Sequence, residues 1–119
     1  MRTKEVEILN KKYLMVFSNA VLVYMEQNGI KLEQMSSNEM PITSMLDIIQ
    51  RMIKSGASYS RKIGGPEYPV IELDDLSEST DVEELNTLMN AAAYCITGYQ
   101  NVNAVPKKKE PDPEAAQTN

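Results

Sequence analysis

Ile42, Met45, Leu46, Ile49, Met52 and Ile53 recur at three- and four-residue intervals behind Pro41, a spacing that fits an amphipathic helix and little else. Pro41 suits a first helical turn, where its missing N–H costs nothing. Tyr59 and Ile63 continue the stripe across Gly56, which weakens a helix by about 1 kcal/mol relative to Ala without ending it. The expectation is one long helix closing near Ile63 at the segment GGP, with an apolar face that the rest of the chain must cover.

The segments around it supply that cover. KEVEILNKKYLMVF sets Val6 and Ile8 on one strand face and Tyr13, Met15 and Phe17 on the next, with Asn10-Lys11-Lys12 as a polar turn. This predicts a β-hairpin whose turn lacks the Asn-Gly or Asp-Gly that specifies primed geometry, and which must pack on helices to be stable. Ser18 is placed to cap a helix over roughly residues 19 to 28, ending at Gly29. Val21, Leu22, Tyr24 and Met25 cover more than half of its circumference, so a central position in the core is expected. GGPEYPVIELDDLSES reads as a surface connection with one helical turn at Leu73 to Leu76. Thr80-Asp81-Val82-Glu83 matches a capping box, and Val82, Leu85, Leu88, Met89, Ala92, Ala93 and Ile96 form the apolar face of a last helix stopped by Gly98. From Tyr99 onward periodicity disappears, and residues 99–119 read as a flexible tail. The predicted fold class is mainly α (α+β): one globular domain over residues 1–98, with an N-terminal hairpin packed on a small bundle of three to four helices.

The residue inventory narrows the chemistry. A chain of 119 residues has room for one core. It has no histidine, no tryptophan and one cysteine, Cys95, which removes His-dependent triads, Cys-His zinc sites and intramolecular disulfides. Cys95 beside Ile96 reads as a small buried hydrophobe. IGGPEYP has neither the GxGxxG spacing nor a following Lys-Ser/Thr, and Glu72, Asp74, Asp75 and Glu78 do not match a calcium loop, so no cofactor and no metal are expected. A net charge of −5 argues against nucleic acid as a partner. With no signal-peptide pattern and no apolar run long enough for a bilayer, the reading is a cytosolic protein without a membrane contact and without enzymatic activity.

What remains is protein recognition. Glu67, Glu72, Asp74, Asp75, Glu78, Asp81, Glu83 and Glu84 follow one another with no intervening base, just after Arg51, Lys54, Arg61 and Lys62. Opposite patches on one subunit favour head-to-tail self-association, with Asp74, Asp75 and Glu78 against the four cations. The plainer reading is a solvated loop and helix start, with acids where the helix dipole favours them. Eight methionines are many for this length. Met25, Met45, Met52 and Met89 stand at stripe positions and read as core filler, whereas Met35 and Met40 fall outside the stripes and are candidate surface anchors for an apolar partner.

The order of hairpin VEILNKKYLMVF, helices SNAVLVYMEQNG and ITSMLDIIQRMIKSG, acidic link and closing helix STDVEELNTLMNAAAYCITG resembles the small tail assembly chaperones of long-tailed bacteriophages and prophages, over roughly residues 5 to 98. The resemblance implies a mostly helical, non-catalytic protein in the cytoplasm of the infected bacterium, absent from the mature virion. Its partners would be the tape-measure protein, the tail-tube protein and further copies of itself, met by helix-in-groove contacts. It also implies a longer product made by −1 ribosomal frameshifting. Lys107, Lys108 and Lys109 stand where a slippery run of lysine codons would lie; the alternative is a solvated basic spot in the tail. A competing reading of the whole chain is a small acidic regulator, an anti-repressor or nucleic-acid mimic.

Overall fold

Helix α2 runs from Ile42 to Lys62, and its buried face consists of Ile48, Ile49, Met52, Ile53, Gly56, Ala57 and Ser60. In the computed structural model, which describes residues 1–36 and 39–98, the order is β1 (Thr3–Ile8), β2 (Lys11–Val16), α1 (Asn19–Gln27), a 3₁₀ turn (Leu32–Ser36), α2, α3 (Leu73–Ser79) and α4 (Val82–Thr97). Strand β2 and helices α1, α3 and α4 each pack on α2, while α4 also lies against both strands. The predicted fold class is the observed one. Both ends of the predicted stripe differ, because Ile42 and Ile63 project into solvent. No helix among the described residues is long and apolar enough to cross a membrane.

The hairpin pairs antiparallel from Thr3 opposite Val16 to Ile8 opposite Lys11. Its turn is Leu9-Asn10, one residue earlier than the sequence suggested, and both residues have positive φ, 50° and 66°. That is the primed arrangement after all, reached without glycine, because it matches the right-handed twist of the strands. Tyr13, Leu14, Met15 and Val16 are all buried, so this half of β2 is shielded on both faces. Gly56 explains how α2 comes so close: a Cβ there would lie 2.5 Å from the Leu14 carbonyl carbon and nearer still to its oxygen. The glycine is a contact point of helix on strand rather than a tolerated weakness.

Helix α1 is peripheral, contrary to expectation, since only Val21 and Met25 are buried. The Ser18 hydroxyl does not cap it; it donates to Ser55 Oγ on α2 at 3.1 Å, while the Ser18 carbonyl accepts from the amides of Val21 and Leu22. Helix α2 ends in a Schellman motif, Gly65 N–H to Ser60 O at 2.8 Å and Gly64 N–H to Arg61 O at 3.3 Å, with Gly64 at φ 74°. The buried Ser60 hydroxyl then donates to Pro66 O at 2.5 Å and fixes the exit of the chain.

The capping box of α4 lies one residue later than predicted. Asp81 accepts from the Glu84 amide at 2.8 Å and the Glu84 carboxylate accepts from the Asp81 amide at 3.0 Å, whereas Thr80 donates to Leu76 O. Val82, expected on the apolar face, is the first residue of α4 and is 65% exposed. Gly98 stops α4 at φ 83°, and Arg2 Nη1 donates to Ile96 O at 3.1 Å across that end, a cation where the helix dipole favours one. Residues 99–119, read from sequence as a tail, lie outside the described residues.

Candidate protein-interaction faces

The methionines expected to anchor a partner are not on the surface. Met35 and Met40 are 5% and 4% exposed and belong to the same core cluster as Met15, Met25 and Met52. Neither lies in an α-helix: Met35 belongs to the 3₁₀ turn, which packs on α4, and Met40 directly precedes Pro41, the N-cap of α2. A thioether with three rotatable bonds fills such a place easily.

The charged candidates separate into different roles. Arg51 is half-buried with its guanidinium 5.4 Å from the centre of the Tyr24 ring, so it joins α1 to α2. Burial raises the Tyr24 hydroxyl pKa, the charge and hydrogen bond of Asp47 add to that, and Arg51 opposes it. Lys54, Arg61 and Lys62 are exposed on α2, and Asp74, Asp75 and Glu78 are exposed on α3. Among the described residues no ion pair links the two sets. Lys107, Lys108 and Lys109 lie outside the described residues.

Two of the charged candidates line cavities: Lys62 borders one of about 360 Å³ with Ser18, Ser55 and Tyr59, and Asp75 borders another. Between the hairpin turn and the segment entering α3 runs a groove of about 420 Å³ lined by Ile8, Leu9, Lys11, Tyr13, Val70, Ile71, Glu72, Asp75 and Ser79. Ile8, Tyr13 and Ile71 are buried beneath it, while Leu9 is 69% and Val70 44% exposed. The wall is pinned at two points: Gln50 Nε2 donates to Ile71 O at 3.1 Å, and the Tyr68 hydroxyl donates to Glu5 Oε2 at 2.8 Å. Glu5 in turn lies 3.8 Å from Lys12. The groove is therefore apolar at its centre, acidic on the α3 side and basic at Lys11.

A second groove, of about 530 Å³, lies where α1 hands over to the 3₁₀ turn. Leu22, Glu26, Gly29, Ile30, Lys31, Leu32 and Glu33 line it, and it shares no residue with the first. Gly29 at φ 68° creates the bend, and the Ile30 amide donating to Met25 O at 2.9 Å completes a Schellman motif. Leu32 remains exposed.

Sequence reading missed both grooves because their apolar residues sit in connections, where no periodicity reports a face. One signal was present: a leucine beside Asn10 in a hairpin turn, where a polar or glycine residue is favoured. Cys95 is buried, its thiol pushed up to about 11 by desolvation against the opposing charges of Lys4 and Arg2, with Sγ 3.4 Å from Met15 O. Among the described residues no group of three or more Cys, Asp or Glu side chains is arranged to hold a metal. No protein-family model, no curated protein and no solved structure matches the chain.

Proposed function

We propose that this protein is a non-enzymatic assembly chaperone of a long-tailed phage, working in the cytoplasm of the infected bacterium, which shields the tape-measure protein and recruits tail-tube subunits through self-association. The observation that supports this best is that two grooves of mixed apolar and charged lining share no residue, because a chaperone that coats a rod needs one surface for the client and another for its own neighbours. The groove at α1 takes the client role: Leu22, Ile30 and Leu32 offer an apolar bed for one face of an amphipathic helix, with Glu26 and Lys31 at its margin.

Affinity capture from cells co-expressing the tape-measure protein tests the proposal. The wild-type chain co-purifies with that protein, and Leu32→Asp, at an exposed position of the groove, abolishes capture while leaving the circular dichroism and unfolding midpoint unchanged. Failure of the wild type to retain the tape-measure protein overturns the reading. The acidic-regulator alternative rests on the exposure of every acid from Glu67 to Glu84; it calls instead for a basic partner whose binding is lost steeply with salt.

A further inference from the structure

Resting on that reading, we propose that the groove at the hairpin turn is the socket of a head-to-tail contact between copies of this chain, and that its occupant is the C-terminal end of α2, with Ile63 as the apolar knob flanked by Arg61 and Lys62. Three observations converge on this pairing. Leu9 is strongly exposed and held at φ 50°, where a non-glycine residue is strained and Asn or Gly would serve the turn better. A residue that breaks a local rule without benefit to the fold marks a functional surface. Ile63 is the matching anomaly: the C-cap residue of α2, it is 63% exposed although an apolar side chain gains nothing there.

Charge fits the same pairing. Arg61 and Lys62 are exposed and stand without an ion pair among the described residues, while the socket carries Glu72 and Asp75 on its α3 side, with Lys11 as the single opposing cation. Apolar contact supplies the centre and the ion pairs set orientation and register. Knob and socket of one chain cannot meet each other. Gln50 marks the level of the socket on α2 through its bond to Ile71, and Ile63 lies about 20 Å further along the helix at 1.5 Å per residue. The contact is therefore heterologous and propagates into a ring or an open stack.

Sedimentation velocity over a concentration series, with two variants, tests this. Ile63→Gln removes the knob at an exposed helix end, and Leu9→Asn removes the lip of the socket while suiting the turn. The expected result is that wild type grows past the dimer with concentration, that each variant alone remains a monomer, and that an equimolar mixture forms a dimer and nothing larger, since one intact knob and one intact socket remain. A monomeric wild type, or a mixture that stays monomeric while wild type assembles, overturns the proposal. Capture of the tape-measure protein by a wild type that sediments as a monomer would discard this interface and the self-association with it, and leave the shielding of the client standing.

Discussion

Gly56 and Cys95 carry opposite lessons about single residues. On an isolated helix Gly56→Ala would be favourable by about 1 kcal/mol. Here the new methyl meets the Leu14 backbone, which cannot rotate away, so α2 and β2 must separate and the layer they bury must loosen. Overpacking of this kind costs about 1–3 kcal/mol and outweighs the propensity gain. Urea unfolding of Gly56→Ala should show a lowered midpoint; a raised one would mean that the strand yields. Cys95 acts through its protonation. Its folded-state pKa, near 11, lies above that of an exposed thiol, so the folded chain keeps a proton that the unfolded chain releases. The resulting stability is complete below the ordinary thiol range and is lost as pH rises toward about 11. Comparing wild type with Cys95→Ala, the alkaline fall in stability should be shallower in the variant. At pH 8, alkylation of native wild type should be slow and become fast in urea.

Elements were legible where burial follows a period and illegible where backbone geometry decides. The stripe of α2 and the apolar face of α4 are periodic because each has one covered side, and both helices emerge with the expected ends near Ile63 and Gly98. Caps are a matter of one hydrogen bond, and Thr80 and Asp81 both satisfy the sequence pattern; the bonds choose Asp81. Asp81→Ala should lower stability by about 1 kcal/mol in urea titration, with the loss recovered largely by Asp81→Asn, which keeps the acceptor. Met35, Met40, Leu9 and Val70 are illegible in the sequence for a common reason: they lie outside the strands and α-helices, and whether such a residue folds inward or outward is fixed by tertiary contact alone. Leu9 also carries a local cost that can be measured. Replacing it with Asn at φ 50° should raise the stability of the monomer by up to about 1 kcal/mol. If Leu9→Asn proved destabilising, the leucine would be serving the fold and its role as an interaction residue would lose its main support.

At the scale of the whole molecule, net charge and local charge pull association in opposite directions. The three lysines after Pro106 are balanced by Glu110, Asp112 and Glu114, so the net −5 belongs to residues 1–98, and copies of the domain repel one another at long range. The proposed contact sets Arg61 and Lys62 against Glu72 and Asp75 at short range. Screening separates these effects because its length changes with salt: about 30 Å at 0.01 M, about 10 Å at 0.1 M and about 3 Å at 1 M. At the lowest salt the full repulsion between like-charged domains operates and association is weak. Near 0.1 M the distant charges are hidden while pairs in contact still attract, so association should be strongest there. Toward 1 M the pairs are screened as well, and only the apolar centre formed by Leu9, Val70 and Ile63 holds the copies together. Sedimentation across this range should therefore give a maximum at intermediate salt, and the double variant Arg61→Gln, Lys62→Gln should lose that maximum and associate more strongly as salt rises. A monotonic fall in wild-type association from the lowest salt upward would mean that attraction between opposite patches outweighs the net charge at every distance, and a flat response would leave charge no part in the contact.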